Sequence, residues 1–351
     1  VDTLTDLDNF ASDASVAAAA ARLETERKQH QATRRELART QERVDELEQL
    51  LDRYQVVKPA DMRVPKWMAA KASKKAHRAT ALLQLSDLHL DEVVDLAEMS
   101  GMNEYSRSIA ERRLETVVEG TVKLTSTYVS GVTFDGIVVA LNGDILTGEI
   151  HDELARTNEA PTTASVTHWV PRLASALTYL ADHFGRVHVP CTDGNHDRSY
   201  KKIPAKQRAE SSFAWVVYNW LADVLRDDER ITFSITTAPG QVYPIYDTVF
   251  HQSHGDAFRS AGGIGGIFPS MLKHIARLDA MWGTQGHKID CHLFGHWHQL
   301  LFGPNFCVNG SLKGYDEYAR NSAFGFEQPR QALAVVTPER GIVQQMPVYA
   351  E

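Results

Sequence analysis

At 351 residues, 43% of them apolar, the chain exceeds the usual single-domain size and reads as one large packed domain with an appendage. A formal charge of −8 excludes a uniformly basic nucleic-acid coat but not a local basic patch. No run of about 18 apolar residues occurs and the N-terminus lacks a basic start followed by an apolar core, so the expectation is no membrane span, no secretory signal and a cytoplasmic location.

Residues 1–15, rich in Asp, Ser and Thr, read as a flexible N-terminus. Residues 16–55 read as a helical arm without glycine or proline. Val16, Leu23, His30, Leu37, Val44 and Leu51 recur every seven residues, and a half-polar companion row runs Ala19, Glu26, Thr33, Thr40, Leu47 and Tyr54. This pattern suggests a coiled coil and a homo-oligomer formed through it, the other reading being a solvated single helix. Residues 56–80 form a basic linker in which Lys58, Arg63, Lys66, Lys71, Lys74, Lys75 and Arg78 face one acid, Asp61. Such a cluster suits a phosphate backbone, and suits equally an ordinary solvated linker.

The globular domain is expected over 81–351. Ala81 to His89 reads as an apolar strand ending in Asp87 and His89. A helix follows at about Asn103–Tyr128, with Ile109, Leu114, Val117, Val118 and Val122 as its core stripe. A second strand, Gly136 onward, ends at Asp144. A helix from Pro171 to Phe184, with proline in its first turn, leads into the strand Arg186–Pro190 and then Asp193-Gly-Asn-His-Asp197. The helix at about Ser212–Leu225 carries Trp215 and Trp220 as expected core. A strand from Thr248 ends at His254, and the glycines between Gly262 and Gly266 read as a surface loop. Cys291 to His298 closes an apolar run in two histidines, His296 and His298, spaced for one face of a strand. Gln331–Val336 and Gly341–Val348 alternate like closing strands. Cys191, Cys291 and Cys307, an odd number without zinc-site spacing, read as buried reduced thiols.

Strands separated by helices predict an α/β fold, whose ligands gather beyond the carboxyl ends of the strands. All five polar blocks fall there. Asp87, His89, Asp144, Asn195, His254, His296 and His298 supply carboxylate, amide and imidazole but no thiolate. Seven such donors are too many for one tetrahedral zinc and suit two divalent ions sharing a carboxylate. Two ions about 3.5–4 Å apart turn a bridging water into hydroxide for a phosphoryl displacement.

Asp87-Leu-His89, Gly143-Asp144, Gly194-Asn-His-Asp197, His254-Gly255 and Gly295-His-Trp-His298 together resemble the signature of the calcineurin-like metallophosphoesterases. The resemblance implies a four-layered α/β/β/α sandwich. It implies Asp87, His89 and His298 on one metal, Asn195, His254 and His296 on the other, and Asp144 between them. It also implies that His196 stands near the scissile phosphate, stabilising charge or protonating the leaving oxygen, with Asp197 orienting it or turning the loop. Including Asn309 to Glu317, the sequence is most similar to phosphoesterases of bacteriophages and prophages, which would place it in a bacterial host cytoplasm, and more distantly to DNA-repair exonucleases.

Protein serine/threonine phosphatases carry arginines near the bridging aspartate and before the Gly-Asn-His. Here those neighbourhoods read Ile145 to Glu149 and Cys191 to Asp193, which counts against that monoesterase chemistry. Break-repair nucleases have a histidine where this chain has Thr147, and His151 is the nearest substitute. Lys201 and Lys202 are placed to hold a flanking phosphate, although lysines at such positions are commonly solvated. The expected activity is therefore two-metal phosphodiester hydrolysis, with Mn2+ favoured over Fe, Zn or Mg. The substrate expected first is DNA or RNA, then a small cyclic or linear nucleotide diester, with phosphomonoesterase activity or a non-catalytic partner-binding module as the remaining alternatives.

Overall fold

The computed structural model describes residues 27–35, 37–39, 41–42, 45, 64–68, 77–202, 204–259 and 266–351, in two compact units divided between Asp61 and Met62. In the first unit every described residue is helical and exposed, among them His30, Thr33 and Leu37. The other positions of the two heptad rows lie outside the described residues, as do residues 1–15 and the glycine loop apart from Gly266.

The second unit is a mixed α/β structure built on two sheets. Strands β1 (Arg78–Leu85), β2 (Thr133–Asn142), β3 (Val187–Thr192) and β4 (Ile231–Ile235) run parallel, and β10 (Arg330–Thr337) and β11 (Gly341–Tyr349) extend the β1 edge antiparallel. The second sheet has the order β5 (Gly240–Ile245), β6 (Thr248–Ser253), β7 (Cys291–Phe294), β9 (Phe306–Val308), β8 (Leu301–Phe302). Alternation along β1 and β2 divides the core. Ala81, Leu83, Leu85, Ile137, Val139 and Leu141 pack with the helices α1 (Arg107–Lys123), α2 (Thr162–Phe184) and α3 (Phe213–Val224). Leu82, Val138 and Ala140 pack with Phe250, Cys291, Leu293 and Cys307 of the second sheet. Helix α4 (Phe268–Thr284) places Met271 and Ile275 against Phe294, Phe306 and Val308. All three cysteines are buried and unpaired.

Several sequence expectations need correction. Helix α2 starts at Thr162, and Pro171 lies inside it instead of in its first turn. Proline in a helix costs about 3 kcal/mol. Trp169, Val170 and Leu173 are buried on the continuous apolar face, each contributing roughly 1.5–3 kcal/mol, while Pro171 faces solvent. Burial wins, and the Val166-Trp169-Val170-Leu173 spacing was the available signal. In α3 the core side chains are Ala214, Val217, Tyr218 and Leu221, whereas Trp220 is 39% exposed. Strand β1 begins at Arg78, three residues before Ala81, and Arg78 is tied to Asp135 (Nε–Oδ1 2.8 Å). Trp67 and Met68, within the stretch read as linker, are buried against the inter-sheet core, while Lys66 between them and Pro65 is exposed. Strands β4, β5, β8 and β9 and helix α4 were not anticipated; the shortest have two and three residues, too few to show a period.

Candidate metal centre

The parallel pairing of β1 with β2 brings their carboxyl ends level. Beyond those ends Asp87 N donates to Gly143 O (3.1 Å) and His89 N to Asp144 O (3.1 Å), so the two turns run side by side. Gly143 lies at φ 80° against Gly194, and a Cβ there would come within 2.6 Å of Gly194 Cα. Only glycine permits that approach of the β2 and β3 loops. Asp87, His89, Asp144, His296 and His298 all adopt positive φ, between 47° and 68°. Non-glycine residues in this region are uncommon and concentrate at functional sites. The turn after Phe294 thus sends His296 and His298 in different directions instead of along one strand face.

Two donor groups result. Asp87, His89 and His298 have ligand atoms within 4.8 Å of one another, and so have Asp144, His254 and His296. His89 Nε2 and His298 Nε2 face each other at 3.1 Å, and His298 Nε2 is 3.5 Å from Asp87 Oδ1. In the second group His254 Nε2 lies 3.0 Å from Asp144 Oδ2 and 3.2 Å from Asn195 Oδ1, which adds the amide to that group. Asp144 Oδ2 is also 3.9 Å from His89 Nε2, so this one oxygen faces both groups.

The donors fit divalent cations. Two imidazole nitrogens at 3.1 Å repel unless a proton or cation lies between them. Among the described residues no lysine or arginine forms an ion pair with Asp87 or Asp144, both buried. Burial raises the Asp87 carboxyl to about 6, aided by Asp144. Although burial opposes charge, the Asp144 carboxylate lifts His254 to about 10. A ring proton there supplies the positive charge that the carboxylates lack. Burial pulls His296 down to about 4.

His196 is half-buried at the edge. Its backbone N–H donates to Asp144 Oδ1 (2.7 Å) and its Nδ1 contacts Thr147 O (3.1 Å). Burial lowers its pKa to about 3, leaving the ring neutral. Its ring centroid is 4.7 Å from that of His89 and 5.8 Å from that of exposed His151. Asp197 does not orient His196: its carboxylate accepts from Leu146 N (2.9 Å) and Gly194 N (3.3 Å), so it closes the loop. Lys201 is exposed and paired with Asp152, and Lys202 is exposed. Beside them is a cleft of about 360 Å3 lined by Glu149, Thr162, Arg198, Tyr200, Lys201 and Phe213 among others.

Three charged residues here were missed from sequence. Arg208 joins Asp193 (Nε–Oδ2 2.6 Å) to Asp256 (2.9 Å), bracing the loops that carry Asn195 and His254. Glu92 faces His89 Nδ1, and Lys313 is buried against Glu92 and Asp316. Burial opposes ionisation of Glu92, but Lys313 and His89 hold its carboxyl well below the usual range. Lys313 belongs to the Asn309–Glu317 stretch, where Ser311 Oγ and Leu312 N also donate to Asp87 O.

No protein-family model matches the chain, and no curated protein matches it in sequence. Among solved structures it is similar to a conserved uncharacterized protein, a predicted phosphoesterase, of Streptococcus pneumoniae TIGR4 (13% identity, 77% of this chain and 98% of that one, TM-score 0.28). It is similar also to Vps29 of Entamoeba histolytica complexed with zinc (13%, 77% and 99%, TM-score 0.27). A third likeness is to the sulfate thiohydrolase SoxB of Thermus thermophilus in complex with glycerol (12%, 80% and 58%, TM-score 0.31). These are loose likenesses, and the geometry of the site carries the functional reading.

Proposed function

We propose that the chain is a two-metal phosphodiesterase of the calcineurin-like metallophosphoesterase kind. The observation that carries this reading is the single oxygen, Asp144 Oδ2, set 3.0 Å from His254 Nε2 within its own donor group and 3.9 Å from His89 Nε2 of the other. The packing of helices outside each of two apposed sheets supports the four-layered α/β/β/α sandwich. Asp87, His89 and His298 would hold one ion, Asn195, His254 and His296 the other, with Asp144 shared; Mn2+ is the first choice for carboxylate, amide and imidazole donors. When bound, such ions activate water and neutralise charge on a phosphoryl group.

The chain's own residues do the rest. The Asp144 carboxylate fixes the His196 backbone, and Nδ1–H donates to Thr147 O, which leaves Nε2 of a neutral ring as the proton-accepting atom. As a water oxygen bonds to phosphorus and the ester P–O bond breaks, His196 Nε2 takes up the proton that water releases and passes it to the leaving oxygen. A nucleic acid is the favoured substrate, supported by the basic stretch that precedes β1, and the N-terminal helix is the proposed oligomerisation arm. The cleft of about 360 Å3 beside Tyr200 and Lys201 favours a second reading, a small nucleotide diester, since it falls within the size range of small-ligand sites.

The test compares bis(p-nitrophenyl) phosphate with p-nitrophenyl phosphate, Mn2+ present, for wild type and His196→Ala. Diester turnover falling by about 10²–10⁴ in the variant, at unchanged metal content, is expected. Monoester preference would make the protein a phosphatase, and no turnover of either by metal-loaded protein would leave the partner-binding module.

A further inference from the structure

Two atoms of His89 face two different environments. Nε2 points to His298 and Asp144; on the other side of the ring Nδ1 lies 3.1 Å from Glu92 Oε2. The same Glu92 oxygen accepts from Thr147 Oγ1 (2.9 Å), and Oε1 accepts from Lys313 Nζ (2.7 Å). Lys313 Nζ also reaches Asp316 Oδ2, while Asp316 Oδ1 caps the short helix Glu317–Asn321. Glu92, Lys313 and Asp316 are all buried. Burying three charges is expensive, and well-packed apolar side chains of similar volume would often stabilise a core as well or better. The arrangement therefore calls for a role beyond packing.

We propose that Glu92, anchored by Lys313, is a positioning residue that fixes His89 as the Nδ1–H tautomer and so presents Nε2 as a ligand in the Asp87/His89/His298 group. The inference rests on the two-metal reading. The Glu92 carboxylate only accepts, so the ring nitrogen facing it carries the proton and the opposite nitrogen keeps its lone pair. Lys313 occupies the other Glu92 oxygen and holds the carboxylate in place across 221 residues of sequence. The His89 Nδ1–Glu92 Oε2 separation is 3.1 Å, close enough for a hydrogen bond although its angle falls short of good alignment.

Glu92→Gln is the informative change. Lys313 would draw the amide oxygen, turning the NH2 toward His89 Nδ1 and forcing the proton onto Nε2. Long-range 1H–15N spectra of the metal-free protein at pH 8, with His89 assigned by comparison with His89→Gln, read the tautomer. Titration with Mn2+ reads the number and affinity of ions bound, and circular dichroism checks folding. Expected are Nδ1–H in wild type, Nε2–H in Glu92→Gln, and about 10–100-fold weaker binding of one ion of two in the variant. Two ions bound with unchanged affinity by folded Glu92→Gln, or an Nε2–H tautomer in wild type, would overturn the proposal and leave the two-metal reading standing. A wild type that binds no ion would remove that reading and this inference together. Should the variant not fold, the wild-type tautomer decides alone.

Discussion

The two donor groups differ in what holds their histidines. In the Asp144 group, His254 Nδ1 lies 2.8 Å from the backbone carbonyl of Asn142, a partner that no side-chain substitution removes. The loops around it are tied by one arginine, Arg208, to two aspartates close in space. In the Asp87 group, His89 Nδ1 faces a side-chain carboxylate whose own anchor, Lys313, arrives from near the C-terminal end, and His298 keeps 27% of its side chain in contact with solvent. A ligand oriented by backbone is fixed once the strand pairs, whereas one oriented by a relay of side chains depends on each member. The Asp144 group is therefore expected to bind its ion more tightly, and the Asp87 group to be the first emptied by a chelator.

Asp144→Ala breaks the comparison most severely, because that carboxylate faces both groups. Loss of both ions by elemental analysis and loss of diester hydrolysis are expected; metal-replete but inactive protein would refute the shared role. Arg208→Gln should act on one side only. It leaves buried Asp193 and half-buried Asp256 without their cation, so a loss of about 3 kcal/mol in denaturant unfolding is expected together with weaker binding of the ion proposed for the His254 group. Equal weakening of both ions would contradict the division into two independently braced halves. The smallest expected effect tests whether the acid response belongs to the site at all. Burial holds His188 near 4 and His251 near 3, both below the ordinary 6.5 and both outside the donor groups. The unfolded chain takes up these protons at higher pH than the folded one, so the stability tied to the neutral rings is complete above about pH 6.5. It is lost as the pH falls toward 4, by roughly 2 kcal/mol per ring at pH 5. Metal-free protein should melt lower at pH 5 than at pH 7, and His188→Gln should flatten that slope; an unchanged slope would assign the response to the carboxylates instead.

That these side chains gather beyond the strand ends was legible in the sequence because each lies in a short block there, where one or two loop residues determine what emerges. Asp87 and His89, Asn195 and His196, and His296 and His298 need only local chain to be placed. Glu92, Lys313 and Arg208 were not legible, since an ion pair between residues 92 and 313 leaves no local period, and a single arginine in Lys206-Gln-Arg208 looks like any solvated cation. Pro171 misled for a related reason: its local cost is readable, but the burial of Trp169 that offsets it depends on what α2 packs against. Asp197 was legible as a loop residue, while its choice of Leu146 and Gly194 over His196 required the loops in three dimensions.

The left-handed turns at Asp87, His89, Asp144, His296 and His298 carry a final consequence. Each costs of order 1 kcal/mol or more in backbone strain, a cost that glycine would largely avoid. Glycine at Asp87 and Asp144 would relieve that strain but leave the His196 and His296 amides without the carboxylates that accept from them. The backbone cost at these five positions is thus inseparable from the side chains that the turns present.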